Sequence, residues 1–192
     1  MCGELLRWHF TCFLSGTLHG TLYGPPSMIR VCFVCLGNIC RSPTAEGVMR
    51  RLVAEAGYED KIEIESAGTA AYHAGELPDP RSREESLRRG IRLESHARQF
   101  QADDYARFDY VLAMDSENMD NLQSLCDGTQ DRERLHWLRS FDPASKRTLD
   151  VPDPYYGGPS GFADVFDICE AGCRGLLAHI VDEHDLRTRK EK

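Results

Sequence analysis

Positive charge is scarce in this chain: 23 Lys and Arg stand against 31 Asp and Glu, a formal net charge of −8. Phosphate backbones are bound by clustered Lys and Arg, so no nucleic-acid partner is expected. Apolar runs long enough to cross a bilayer are lacking, and no membrane partner is expected either. There is no internal repeat and no low-complexity segment. Eight cysteines in 192 residues are too sparse for a disulfide scaffold and fit free thiols in a reducing cytoplasm. Metal-ligand spacing is missing as well. His73, His136, His179 and His184 form no such pattern, and His179 and His184 lie five apart, off a shared helix face.

What the chain does have is one stretch that organises the rest, Val31 to Pro43, VCFVCLGNICRSP. It begins as a run of strand formers, passes through a short loop with Gly37 and Asn38, and reaches Ser42-Pro43 and a helical pattern. Strand, loop and helix N-terminus is an anion-binding geometry, built from backbone N–H groups and the positive end of a helix dipole. Cys35 opens the loop and Arg41 closes it, in the pattern C-x5-R-S. At that place N–H groups, the helix end and a guanidinium all favour the thiolate form of a cysteine. The Arg fork grips two oxygens of a phosphate-like oxyanion. Gly37 is expected to supply a positive φ for the curl. The pattern points to attack of the Cys35 sulfur on phosphorus, giving a phosphocysteine that water then cleaves.

The run VCLGNICRSPTAE, together with DPYYGG at 153–158, resembles the low-molecular-weight protein tyrosine phosphatase family, and the likeness extends from about Ile29 to His184. The resemblance implies hydrolysis of phosphotyrosine and aryl phosphates, with Cys35 as nucleophile, Arg41 as phosphate clamp and Asp153 as general acid and base. It implies a loop of Leu36, Gly37, Asn38, Ile39 and Cys40 around the phosphate, with Ser42 assisting the thiolate as leaving group. It implies a supporting network of Asn38, Ser42, Ser66 and His96. A reversible Cys35–Cys40 disulfide, phosphorylation of the Tyr155–Tyr156 pair and the absence of any cofactor come from the resemblance too.

Read from the residues alone, Asp153 between Pro152 and Pro154 is as much a turn as an acid. A partly desolvated carboxyl beside a thiolate tends to hold a proton, which suits an acid for the leaving oxygen. Tyr155 and Tyr156 read as rim aromatics opposite Tyr72, against which a phenyl phosphate stacks. A deep aromatic wall favours phosphotyrosine over the shorter phosphoserine. Three rival readings stand beside this one. An arsenate reductase of the same fold would need further cysteines in a mobile segment, where only Cys126 stands. A phosphoarginine phosphatase resembles this loop but carries Thr in place of Ile39. A phosphoprotein-binding module without turnover would have no use for Asp153.

The order of elements predicts an α/β fold: a single Rossmann-like domain, phosphotyrosine phosphatase I type, with a central four-stranded parallel sheet and helices on both faces. Strands are expected over Ile29–Val34, Lys61–Ala67 at the sheet edge, Phe108–Met114 and Leu135–Leu138. Pro43 suits the first turn of a helix that runs to Ala56, with Ser42 as N-cap and Gly57 as stop. Arg81–Gly90 reads as a polar helix with Leu87 inward, and Ser116 as the cap of a helix through Leu125. Phe141–Gly161 is rich in turn residues and reads as one long loop, followed by an amphipathic helix over Phe162–Ile180. Residues 28–187 form the expected domain and 188–192 a charged tail. Residues 1–27 lack periodicity; either Met28 is the true start or they are a disordered leader. A monomer is the default expectation.

Overall fold

From Val31 to Cys35 every residue is buried, as expected of a parallel strand covered on both faces. The computed structural model describes residues 28–145, 148–155, 158 and 160–186. The leader and charged-tail expectations, and Tyr156, lie outside the described residues. β1 (Ile29–Cys35) pairs in parallel with β2 (Ile62–Gly68) on one side and β3 (Tyr110–Ala113) on the other. β4 (Leu135–Trp137) extends the sheet beyond β3, giving the order β2-β1-β3-β4, with β2 at the edge as expected.

Because side chains alternate along a strand, β1 feeds two cores. Val31, Phe33 and Cys35 face α1 (Arg41–Ala56) and α5 (Gly161–Glu183), meeting Val48, Leu52, Phe166 and Leu176. Cys32 and Val34 face the other way, toward Phe100, Tyr105, Phe108 and Leu122. Each fully buried Leu, Val or Phe contributes about 1.5–3 kcal/mol, so the two layers hold the sheet from both sides. The four-stranded parallel sheet with helices on both faces is therefore the architecture observed. Among the described residues no helix is long and apolar enough to cross a membrane.

Several local expectations need correction. Ser42 is not the N-cap of α1: Cys40 holds that position without a side-chain bond, and the Ser42 hydroxyl is taken up elsewhere. Gly57 ends α1 in the left-handed conformation, φ 74°, as expected. α2 (Pro80–Arg88) is capped by Asp79, whose side chain accepts from the Arg81 amide. Its Leu87 points out, 58% exposed, because the face turned inward is Ser82, Glu85 and Ser86. α3 (Ser116–Leu125) is capped by Asp115 rather than Ser116, through a 2.7 Å bond from the Asn118 amide. The Ser116 hydroxyl bonds Asp150 instead. A short helix, α4 (Thr129–Arg134), was not expected; it buries no residue, so it leaves no apolar pattern to read. α5 runs slightly past both predicted ends.

Candidate active site

The loop between β1 and α1 is tied down by its carbonyls. The Cys35 and Leu36 oxygens accept from the Thr69 and Ala70 amides, at 2.8 and 3.0 Å, and the Ile39 oxygen from the Asp79 amide at 2.8 Å. The peptide unit is planar and trans, so each carbonyl turned outward turns the following N–H the opposite way. The N–H groups of Leu36, Gly37 and Cys40 thus point away from these partners. Asn38, not Gly37, takes the left-handed conformation, with φ 57°. Gly37 leaves room for a neighbour: a Cβ there would lie 3.0 Å from the ring of His73, a tight contact that this partly exposed side chain can relieve by shifting. Gly68 is needed for room behind the loop, where a Cβ would sit 2.7 Å from the Leu36 carbonyl.

A cavity of about 290 Å³ opens over this loop, lined by Cys35, Leu36, Gly37, Ile39, Cys40, Arg41, Tyr72, His73, Asp153 and Tyr155. Cys35 forms part of the lining at only 3% exposure. Tyr72 stands at the rim, 78% exposed. Asn38 and Ser42 do not line the cavity; they lie buried behind the loop.

Behind the thiol lies a closed set of hydrogen bonds. The Ser42 hydroxyl is 3.1 Å from the Cys35 sulfur and 3.1 Å from the Ala67 carbonyl, and it accepts from the Asn38 amide at 2.9 Å. A hydroxyl carries one hydrogen, so Ser42 donates either to Ala67 or to the sulfur. Asn38 donates its other hydrogen to Ser66 at 2.8 Å and accepts from the Arg98 amide at 3.0 Å. Ser66 in turn donates to Glu46 at 2.5 Å. The expected network of Asn38, Ser42 and Ser66 is thus assembled, but His96 is exposed and outside it. Its neighbour Ala97 is the buried one, and adjacent residues of an extended segment face opposite ways. Glu46 completes the network instead; it lies one helical turn after Ser42, a spacing that could have flagged it.

In front of the thiol, the buried Arg41 guanidinium is held between two carboxylates. It pairs closely with Asp115, donates to the Val151 carbonyl at 3.2 Å and reaches Asp153 at 3.3 Å. Asp115 went unread in the sequence, although it follows the carboxyl end of β3, where ligands of parallel sheets gather. Its two oxygens divide the work: one caps α3, the other holds Arg41. Asp153 is turned by the Tyr155 amide, which donates to its Oδ1 at 2.9 Å. Cys40 is the second thiol of the cavity, and burial pushes it up to about 12, so it stays protonated at neutral pH. Cys35 and Cys40 are both free. Among the described residues no three His, Cys, Asp or Glu side chains gather as a metal site.

A profile described as low molecular weight phosphotyrosine protein phosphatase matches residues 30–186. A low molecular weight protein-tyrosine-phosphatase of Streptomyces coelicolor is 45% identical over 155 residues, covering 80% of this chain and 94% of that protein. The crystal structure of YfkJ from Bacillus subtilis superposes with a TM-score of 0.77 at 42% identity, covering 83% and 99% of the two chains. A protein tyrosine phosphatase from Entamoeba histolytica, crystallised with Hepes in its active site, gives 0.76 at 38% identity, covering 82% and 99%. This chain belongs to the low molecular weight phosphotyrosine protein phosphatase family.

Proposed function

We propose that the chain hydrolyses phosphotyrosine in protein substrates by way of a phosphocysteine on Cys35. The observation that carries this reading is the convergence of the Cys35 sulfur, the Arg41 guanidinium and the Asp153 carboxyl on one small cavity. The loop N–H groups and Arg41 hold the three non-bridging phosphate oxygens. The Cys35 thiolate attacks phosphorus, the bond to the aryl oxygen breaks, and Asp153 gives that oxygen its proton. Water then attacks the phosphocysteine while Asp153 takes a proton back, the S–P bond breaks, and inorganic phosphate leaves. In that second step Ser42 turns its hydrogen from Ala67 to the departing sulfur and stabilises the thiolate. Asp115 keeps Arg41 in place throughout.

Tyr72 and Tyr155 offer walls for an aryl ring, and the apolar Ile39 beside them favours it over a guanidino group. That supports phosphotyrosine over phosphoarginine. An arsenate reductase relay gains no support: Cys126 sits at the end of α3, bonded to the Leu122 carbonyl, and does not line the cavity. Oxidation of Cys35 by peroxide and capture by Cys40 would give a reversible disulfide that protects the nucleophile. We assign the enzyme to a reducing compartment, the cytoplasm, acting as a monomer without a cofactor.

The test is release of p-nitrophenol from p-nitrophenyl phosphate with EDTA present, alongside phosphotyrosyl and phosphoarginyl peptides. Turnover of the aryl ester and the phosphotyrosyl peptide is expected. A preference for the phosphoarginyl peptide would overturn the substrate assignment, and binding of phosphate without turnover would make the chain a binding module.

A further inference from the structure

The side chain of Arg81, in the first turn of α2, bridges three parts of the site. Its Nε and Nη2 donate to the two oxygens of Asp79 at 3.0 and 2.8 Å. Its Nη1 reaches the Tyr155 carbonyl at 3.4 Å. The guanidinium also lies over two rings, with its carbon 5.0 Å from the centre of Tyr155 and 4.7 Å from that of Phe162 at the start of α5. Asp79 is itself an anchor, 8% exposed, and its amide donates to the Ile39 carbonyl of the phosphate loop. The Arg81 bonds also hold the Asp79 carboxyl below the usual carboxylate range, so the pair stays charged.

Tyr155 is the residue whose amide fixes Oδ1 of Asp153. Both oxygens of Asp153 accept here, Oδ1 from the Tyr155 amide and Oδ2 from Arg41, so the Tyr155 bond fixes how the carboxyl is turned in the cavity. A path of direct contacts therefore runs from the phosphate loop through Asp79, Arg81 and Tyr155 to the acid. We propose that Arg81 is a positioning residue that clamps the acid-bearing loop against the phosphate loop and so sets how well Asp153 protonates the leaving group. The proposal rests on the phosphatase reading above. It makes Arg81 matter in proportion to how much the leaving group needs a proton. Cation–π contact with two rings and a bidentate pair supply the clamp without burying the charge, and the Arg81 side chain is half-exposed. Its removal should leave the fold intact.

The experiment compares kcat/KM of wild type, Arg81→Ala and Arg81→Lys on phenyl phosphate and on p-nitrophenyl phosphate, whose leaving group is the more acidic. This ratio reports formation of the phosphocysteine and not its hydrolysis. Arg81→Ala should lose about tenfold on phenyl phosphate and about twofold or less on p-nitrophenyl phosphate, a fraction of the whole general-acid effect. Arg81→Lys, which keeps the charge but not the fork, should fall between. Competitive inhibition by inorganic phosphate should be the same for all three. Equal losses on both esters, or weaker phosphate inhibition in Arg81→Ala, would make Arg81 merely structural and overturn the clamp while leaving the phosphatase reading intact. Absence of turnover in wild type on either ester would overturn both.

Discussion

Cys32 and Cys35 stand three residues apart on β1 and are both buried, but they face different worlds. Cys32 is wholly enclosed in the core beneath Phe100 and Val111, and burial drives its thiol far above the ordinary range despite the Arg98 guanidinium nearby. Cys35 ends the strand, with the Ser42 hydroxyl behind it and the cavity in front. The difference teaches that low exposure does not make a cysteine inert or reactive. What counts is whether the groups that meet the sulfur can stabilise charge, and those gather at the carboxyl end of a central parallel strand.

The comparison breaks most sharply by substitution of each thiol. Cys35→Ser should abolish turnover of p-nitrophenyl phosphate, a loss of at least about a thousandfold in kcat. Cys32→Ser should keep kcat, while urea unfolding shows a loss of about 1–3 kcal/mol from a hydroxyl buried in the core with the distant Arg98 guanidinium and Phe33 carbonyl as polar neighbours. A folded but inactive Cys32→Ser would end the distinction. Next comes the proposed acid, Asp153: Asp153→Ala should cost about a hundredfold in kcat/KM on phenyl phosphate and less on p-nitrophenyl phosphate. The hydroxyl behind the sulfur is worth less. Ser42→Ala should slow alkylation of Cys35 by iodoacetate at neutral pH, and turnover, by about tenfold, the scale of one hydrogen bond to a charged group. An unchanged alkylation rate would mean that Ser42 serves Ala67 alone.

The smallest effect concerns a buried group away from the cavity. His136 packs between Tyr110 and Phe141, and burial, helped by His179, lowers its pKa. The folded state therefore binds fewer protons than the unfolded state, and stability falls as pH drops through about 6.5, the unfolded value. His136→Gln should flatten that acid slope in thermal melts, with activity per folded molecule unaltered. A slope as steep as wild type would assign the acid sensitivity to other groups.

How far the sequence carried varies with how local each feature is. The strand, loop and helix around Cys35 are contiguous, so their apolar run, turn residues and Ser-Pro boundary could be read directly. Pro152-Asp153-Pro154 by itself reads equally as a turn, and it is the resemblance carried by DPYYGG that points to Asp153 as the proposed acid. Asp115 and Glu46 could not be read so easily, since the contact of Asp115 with Arg41 spans 74 positions and exists only once β3 lies beside β1. His96 shows the opposite case: its segment does reach the network, through the Arg98 amide, but one step of an alternating backbone turns Ala97 inward and His96 out. Leu87 failed because its short helix buries serines and a paired glutamate, so hydrophobicity misidentified the inner face. The position of Ser42 allows a cap, and only the folded loop shows that its hydroxyl lies among the Cys35 sulfur, the Ala67 carbonyl and the Asn38 amide.

The central claim is that the Cys35 sulfur accepts the phosphoryl group. It is tested most directly by mixing the enzyme with p-nitrophenyl phosphate, quenching within milliseconds in acid, and locating the added phosphate by peptide mass spectrometry. The account predicts a phosphorylated Cys35 peptide that disappears as substrate is exhausted and accumulates further in Asp153→Ala, where water is no longer activated. Turnover with no phosphate on Cys35, or with phosphate on another residue, would contradict it.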